Sequence, residues 1–308
     1  MSAQTFGGIY PATLTPYTAD GNVNGPLLKE LVDAHLRAGV NGFYLGGGTG
    51  EGILNSVPER LEAVRAVMDQ VGGRCRIIVH VGAVATREAV TLAKEVATMG
   101  VDAISALPPI FYRVPYDAIV EFYRQIADAT DLPVLAYYIP GASGMTFTDA
   151  QFDELLAIEN VMGVKFSDYD LFMMQQLITR HPDAVVMSGN DQVLLGALAM
   201  GAHGSIGLTL NIMPSLYVQL YEAYREGNLR AAQQLQFKAN RLIATILPFG
   251  AGGIAALKPI MKMLGFDCGE ARAPLPRLDS SNVERLHQQL ETIDFFSDPI
   301  YVGWAKEQ

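Results

Sequence analysis

Residues 76–99 read RIIVHVGAVATREAVTLAKEVATM, a short apolar run followed by a longer amphipathic one. Residues 76–82 are apolar on both faces, which is typical of a strand in a parallel sheet covered by helices on either side. Residues 86–99 place apolar side chains at the spacing of a helix with one buried face. The stretch therefore predicts one strand, a turn and one helix, which is the repeating unit of α/β proteins.

The same unit recurs in both directions along the chain. The predicted strands are residues 8–14, 41–46, 76–82, 103–107, 133–139, 161–167, 184–189 and 204–209. The predicted helices are residues 25–38, 57–71, 86–99, 115–129, 148–158, 170–180, 191–200 and 214–226. Eight such units in about 225 residues predict an α/β fold of the (β/α)8 or TIM-barrel class. A doubly wound sheet also alternates, but no GxGxxG opens a helix after the first strand.

The C-terminal part of the chain follows a different pattern. Residues 228–265 and 280–296 are predicted to be helical, with no strand between them. The segment between them, GEARAPLPRLD at 269–279, is too rich in proline to be helical throughout. We therefore predict a barrel over residues 1–227 and a helical extension over residues 228–308 that packs on it.

Composition excludes several classes of function. Half of the 308 residues are hydrophobic, 18% are charged, and the net charge is −10, which disfavours a nucleic-acid partner. Neither Cys75 and Cys268 nor any group of His, Asp and Glu has the spacing of metal ligands, so we expect no metal. The N-terminus lacks the pattern of a signal peptide, and no apolar run is long enough to span a bilayer. We expect a soluble, cytoplasmic protein that does not bind membranes.

One lysine stands out from the others. Active sites of these barrels lie at the C-terminal ends of the strands, and Lys165 lies near the end of the apolar strand VMGVKFS. Burial lowers the pKa of a lysine and provides a free amine that can attack a carbonyl. An ion pair inside the barrel would also explain the position. The remaining lysines fall in helical patterns or in the terminal tail, where we expect them to be solvated: Lys29, Lys94, Lys238, Lys258, Lys262 and Lys306.

Two further features lie at the same predicted end of the barrel. The loop GGGTGE at 46–51 can present backbone N–H groups and a threonine hydroxyl to a carboxylate or phosphate, although a loop without a ligand could have the same composition. Tyr137 and Tyr138 point to opposite faces of their strand, so one of them faces the helices as core. A lumenal Tyr137 could relay a proton beside Lys165, or simply fill the core.

These motifs together resemble a known family. GGGTGE, YYIP at 137–140, GVKFSD at 163–168 and SGNDQ at 188–192 look like those of the N-acetylneuraminate lyase and dihydrodipicolinate synthase superfamily, and the likeness covers essentially the whole chain. The resemblance implies class I chemistry without a cofactor. Lys165 would form a Schiff base with a small 2-oxo acid, Tyr137 would relay protons, and Gly48 and Thr49 would bind the substrate carboxylate.

The resemblance also separates two branches of this superfamily. Dihydrodipicolinate synthases carry an arginine where this chain has Ala142, so that branch is disfavoured. IPxxSG and KFSD are closer to sialic acid lyases, yet Gly48, Gln192 and Leu208 replace residues that are polar or charged in that group. The residues that the resemblance places along the substrate pocket are Phe111, Tyr112, Ser167, Gly189, Asp191, Gln192, Leu208 and Thr209.

The predicted function is an aldol lyase that cleaves a 2-oxo-3-deoxy sugar acid, similar to N-acetylneuraminate, into pyruvate and an aldehyde. A dehydratase or hydratase-aldolase that uses the same imine is one alternative. A ligand-binding barrel without turnover is another, because polar groups are missing at Gln192 and Leu208. The resemblance further implies a homo-oligomer, commonly a tetramer.

Overall fold

The structure, a computed structural model, describes residues 6–305. The ends of the two predicted domains, residues 1–5 and 306–308 with Lys306, lie outside these described residues. Eight parallel strands form one sheet in the order β1-β8-β7-β6-β5-β4-β3-β2. Ala12 and Tyr44 form a parallel bridge between the two end strands, and this bridge closes the sheet into a barrel. The predicted (β/α)8 fold is confirmed.

Each strand lies within its predicted range. The strands are β1 Gly8–Pro11, β2 Gly42–Leu45, β3 Arg76–His80, β4 Ala103–Ala106, β5 Val134–Tyr138, β6 Val161–Phe166, β7 Val185–Ser188 and β8 Gly204–Gly207. They are buried on both faces except at Arg76 and Met162. This explains why the sequence pattern was nearly continuous in apolar residues.

The helices surround the barrel and continue beyond it. They are α1 Gly25–Arg37, α2 Val57–Val71, α3 Thr86–Ala97, α4 Tyr116–Ala127, α5 Pro140–Ser143, α6 Asp149–Leu156, α7 Leu171–Arg180, α8 Leu194–Ala199, α9 Pro214–Arg225, α10 Leu229–Ile246, α11 Ile254–Met263, α12 Ser280–Glu291 and α13 Pro299–Val302. The helical segment predicted over 228–265 is interrupted at 247–253, where Pro248 is followed by three glycines. The short α5 was not predicted.

Two apolar cores follow from the alternation of side chains along the strands. One fills the lumen with Tyr10, Tyr44, Ile78, Leu135, Met187 and Ile206, among others. A larger one lies between the strands and the surrounding helices, and the C-terminal helices share it through residues such as Ile243, Ile260 and Leu286. The C-terminal helices therefore pack against the barrel. Among the described residues, no helix is both long and apolar enough to cross a membrane.

Candidate active site

The side chain of Lys165 lies in the lumen, near the C-terminal end of β6. In the parallel register Lys165 pairs with Tyr137 on β5 and with Met187 on β7, so these neighbours share its face of the sheet. Gly163, two residues earlier on the same face, lies against β7 so closely that an added Cβ would be 1.9 Å from Val185 O. The apolar strand thus carries its one ammonium group into a closed interior, where only 3% of Lys165 is exposed.

Aromatic rings enclose the Lys165 amine. Its Nζ lies 4.0 Å from the ring centroid of Tyr44 and 4.1 Å from that of Tyr137. Burial lowers the pKa of Lys165 to about 7, and the Asp191 carboxylate raises it only in part. No salt bridge to Lys165 occurs within residues 6–305, so the ion-pair interpretation lacks a direct partner in this part of the chain. A large fraction of this amine is neutral near pH 7.

The two tyrosines of β5 point in opposite directions. Tyr138 packs outward against Phe147, Phe152 and Phe166. Tyr137 faces the lumen, where burial raises the pKa of its phenol to about 12. The neighbouring Ser167 hydroxyl opposes that rise in pKa, although the two groups do not meet in a hydrogen bond of regular geometry. Tyr137 is therefore a protonated phenol near neutral pH, able to donate a proton beside Lys165.

The GGGTGE loop leaves β2 at the same end of the barrel. Thr49 is buried and Gly48 is exposed. The carbonyl of Gly48 accepts a hydrogen bond from the N–H of Glu51 at 3.0 Å, and Thr15 Oγ1 donates to the carbonyl of Gly50 at 2.7 Å. The first bond folds the loop back on itself, and the second attaches it to the segment that follows β1.

Two residues of the lumen, Tyr44 and His80, belong to the candidate site but were not predicted from the sequence. Tyr44 donates a hydrogen bond from its hydroxyl to Ser105 Oγ at 3.1 Å while its ring faces Lys165. His80 stacks edge-on against Tyr137, with ring centroids 6.2 Å apart. Its Nε2 accepts from the N–H of Leu107 at 3.1 Å, so its Nδ1 carries the proton toward Gly46 O, also at 3.1 Å. Burial lowers the pKa of His80 well below its usual value, and a neutral ring with both nitrogens engaged is a wall of the site.

The Asp191 carboxylate is fixed by Thr209. Its Oδ2 accepts hydrogen bonds from the N–H of Thr209 at 2.7 Å and from Thr209 Oγ1 at 2.6 Å. Its Oδ1 is buried without a hydrogen-bond partner in the structure. The carboxylate fits here because position 207 is glycine, where an added Cβ would be 1.5 Å from Oδ1. Burial raises the pKa of Asp191, the usual effect on a desolvated carboxylate.

A cavity of about 150 Å³ lies beside this carboxylate. Five of the predicted pocket residues contribute to its lining: Gly189, Asp191, Gln192, Leu208 and Thr209. Four others were not predicted as pocket residues: Asn190, Ile243 and Ile246 of α10, and Gly252 of the turn after it. Ile243 and Ile246 contribute apolar side chains to the lining, as does Leu208.

The remaining predicted pocket residues lie outside this cavity lining. Phe111 is 87% exposed and has a left-handed φ of 82°, and its ring stacks edge-on against exposed Tyr112 at 5.0 Å. Ser167 lies beside Gly189, whose missing side chain makes room for the Ser167 hydroxyl. Ala142 is exposed in α5. A role for Phe111 and Tyr112 in the pocket stays a prediction.

The expectation that Lys258 is solvated is wrong. This helix residue is buried, and its Nζ lies 2.8 Å from Glu51 Oε1. The amphipathic pattern of α11 does not show this burial, because the residues that contact the Lys258 amine, Glu51, Tyr17 and Glu270, lie outside that helix. No group of His, Cys, Asp and Glu able to hold a metal ion occurs among residues 6–305.

Comparison with known proteins places this geometry in a family. Residues 5–293 match the model of the dihydrodipicolinate synthetase family. The chain belongs to that family. It is 34% identical over 286 residues to N-acetylneuraminate lyase of Rhizobium meliloti (strain 1021), which covers 93% of this chain and 95% of that protein.

Solved structures agree with this placement in the dihydrodipicolinate synthetase family. A catalytic lysine mutant of the Ruminococcus gnavus sialic acid aldolase superposes with a TM-score of 0.90 at 30% identity, over 94% of this chain and 96% of that chain. CdNal from Clostridium difficile in complex with mannosamine gives a TM-score of 0.89 at 29% identity, over 94% and 99%. The resemblance to the N-acetylneuraminate lyase branch is confirmed.

Proposed function

We propose that this chain is a class I aldol lyase that cleaves a 2-oxo-3-deoxy sugar acid, similar to N-acetylneuraminate, into pyruvate and an aldehyde. The observation that carries the proposal is the Lys165 amine, buried between the rings of Tyr44 and Tyr137 with its pKa lowered to about 7. A lysine that is neutral at working pH is the nucleophile that a Schiff-base mechanism needs. The lyase names of its relatives support the same reaction.

The first half of the reaction forms the imine. The Lys165 amine attacks C2 of the 2-oxo acid while Thr49 and the backbone of Gly48 hold the carboxylate. The C2 oxygen takes one proton from the attacking amine and a second from the phenol of Tyr137, and it leaves as water. The resulting iminium cation lies between the faces of two aromatic rings, where their quadrupoles stabilise positive charge. No cofactor takes part, because the lysine itself supplies the electron sink.

The second half breaks the C3–C4 bond. The Tyr137 phenolate takes the proton of the C4 hydroxyl, the electron pair of the C3–C4 bond moves into the iminium, and the aldehyde leaves. The enamine that remains is protonated at C3, and water then releases pyruvate and free Lys165. The aldehyde portion would lie along Gly189, Asp191, Gln192, Leu208 and Thr209.

Borohydride trapping tests the proposal. Incubation with pyruvate and borohydride should add one reduced pyruvyl group to the wild-type chain, measured by intact mass. Lys165→Ala should carry none. A wild-type chain without the adduct, or an undiminished adduct on Lys165→Ala, would refute the Schiff base. A screen of sugar acids, scored separately for pyruvate release and for loss of water, distinguishes the lyase from a dehydratase.

We further propose a cytoplasmic homo-oligomer, a tetramer by its family resemblance. Cys75 and Cys268 form no disulfide within residues 6–305, which suits a reducing compartment. The exposed aromatic pair Phe111 and Tyr112 suits burial against a second copy. Mass photometry of the purified chain tests the tetramer, and a monomer at micromolar concentration would contradict it.

A further inference from the structure

The loop after β2 carries a buried carboxylate for which the proposed reaction has no use. The Glu51 side chain is 2% exposed, and its Oε1 lies 2.8 Å from the Nζ of Lys258 on α11, which is 6% exposed. Its other oxygen, Oε2, accepts a hydrogen bond from the backbone N–H of Arg272 at 2.7 Å. Both oxygens are therefore held by the C-terminal extension.

Further contacts close the surroundings of this pair. Two cationic groups lie over the ring of Tyr17. Lys258 Nζ is 4.0 Å from the ring centroid, and the guanidinium carbon of Arg272 is 4.3 Å from it. Lys258 also donates to the carbonyl of Glu270 at 3.1 Å, and Arg272 forms a salt bridge with Glu59 of α2. Burial lowers the pKa of Lys258, while the Glu51 carboxylate opposes that change. A buried charge left without its partner is strongly unfavourable, so the two side chains must be kept together.

The backbone of Glu51 is continuous with the predicted carboxylate-binding loop. Its N–H donates to the carbonyl of Gly48 at 3.0 Å. Its φ of 56° lies in the left-handed region, which residues other than glycine rarely adopt. Such a conformation persists only where the surroundings impose it. Here the surroundings are Lys258 and Arg272, which fix both oxygens of the side chain.

We propose that the buried Glu51–Lys258 pair positions Gly48 and Thr49 to receive the substrate carboxylate, so that the C-terminal extension determines the affinity for the 2-oxo acid. This rests on the proposed function, since the loop binds a carboxylate only if the chain handles a 2-oxo acid. Glu51 and Lys258 are positioning residues that act through the loop. Loosening the loop should weaken the binding of the carboxylate without changing the Lys165 amine.

The test uses pyruvate as the probe and borohydride trapping as the readout, on the full chain. Glu51→Asp keeps the charge but is too short to reach both partners, whereas Glu51→Gln and Lys258→Met each leave one buried charge unpaired. In all three variants we expect the half-saturating pyruvate concentration to rise about tenfold. The adduct at saturating pyruvate should stay within about twofold of wild type.

Controls separate this role from general stability. Asp267→Asn breaks the Lys262–Asp267 pair, whose side chains are 68% and 62% exposed on the same part of the extension, and should leave half-saturation unchanged. The double variant Glu51→Gln/Lys258→Met should be no worse than either single variant. If near-UV circular dichroism shows that Glu51→Gln does not fold, Glu51→Asp decides the question.

Three outcomes are distinguishable. A half-saturating pyruvate concentration in Glu51→Asp equal to that of wild type would overturn the positioning role. Loss of the adduct at saturating pyruvate, with the half-saturating concentration unchanged, would overturn it as well. A wild-type chain that forms no adduct at any pyruvate concentration would instead refute the proposed function.

Discussion

At the scale of single residues, the environment of Lys165 determines its chemistry. A carboxylate in contact would hold the amine protonated, whereas the ring faces of Tyr44 and Tyr137 favour positive charge without binding it as an ion pair. Burial is therefore the largest influence on the amine, and it lowers the pKa of Lys165 to about 7. With the ordinary lysine pKa of 10.5, only about one amine in 3,000 would be neutral at pH 7.

This predicts the acid side of the pH profile. The free amine is the reactive form, so its population falls as pH falls through about 7, and well below that value it drops about tenfold per unit. The initial rate of adduct formation with subsaturating pyruvate, trapped at a series of pH values, should follow this curve. A rate that is constant between pH 6 and 8 would show that the pKa of Lys165 lies outside this range.

Tyr44 allows a test of the aromatic enclosure. Tyr44→Leu removes the ring face that stabilises the iminium, a contribution of about 2 kcal/mol at a desolvated site, so we expect kcat to fall about thirtyfold. Tyr44→Phe keeps the ring and loses only the hydrogen bond to Ser105, so its kcat should stay close to wild type. Equal losses in the two variants would assign the effect to the hydroxyl group. Melting temperatures of both variants show whether the lumen remains packed.

Some residues of the candidate site could be predicted from sequence patterns, and others could not. Lys165 was identifiable because a charge inside an apolar strand contradicts its surroundings. Alternation set Tyr137 and Tyr138 on opposite faces of their strand without deciding which one faces the lumen, and the same argument could have been applied to Phe43 and Tyr44 of β2. Ile243 and Ile246 carried no such signal, since their helix reaches the pocket only through tertiary packing.

At the scale of elements, close strand contacts depend on missing side chains. Gly163 on β6 leaves no room for a Cβ, which would lie 1.9 Å from the carbonyl of Val185 on β7. Periodicity predicts that these strands exist, because each is apolar apart from Lys165 on β6 and Ser188 on β7. It does not predict how closely they approach, nor the break at 247–253 between α10 and α11.

Gly163→Ala should therefore separate β6 from β7. We expect a loss of about 1–3 kcal/mol in stability, the usual effect of overpacking, and a weaker borohydride adduct because Lys165 lies on the displaced strand. Gly141→Ala is the matched control, because nothing lies within 4 Å of its added Cβ and its φ is not left-handed. Thermal unfolding and the trapping assay measure both effects. Equal melting temperatures for the two variants would contradict the prediction.

At the scale of the whole molecule, the C-terminal extension supports the barrel from outside. Trp304 donates from Nε1 to the carbonyl of Ile212, which follows β8, at 2.9 Å. Its ring stacks on Phe266 with centroids 5.7 Å apart and lies 5.0 Å from the ring of His35 on α1. The end of the described chain is thereby attached to the first helix and to the segment that follows the last strand of the barrel.

Trp304→Ala should thus destabilise the barrel as well as the extension. Truncating a buried tryptophan removes packing and opens a cavity, at a cost of about 3–5 kcal/mol. We expect the melting temperature to fall by several degrees in a single transition shared by both parts. Phe237→Ala, on an exposed side chain of α10, should change it little. Two separate transitions in Trp304→Ala would show that the extension unfolds independently.

The apolar wall that α10 contributes to the cavity has a practical consequence for retargeting the enzyme. The loop that we propose for the carboxylate is held by Lys258 of α11, whereas Ile243 and Ile246 of α10, together with Gln192 and Leu208, line the cavity beside Asp191. A library randomised at these four positions leaves Lys165, Tyr137 and the Glu51–Lys258 pair untouched. Selection for new aldehydes can therefore proceed in steps, each keeping the residues that we propose to handle pyruvate.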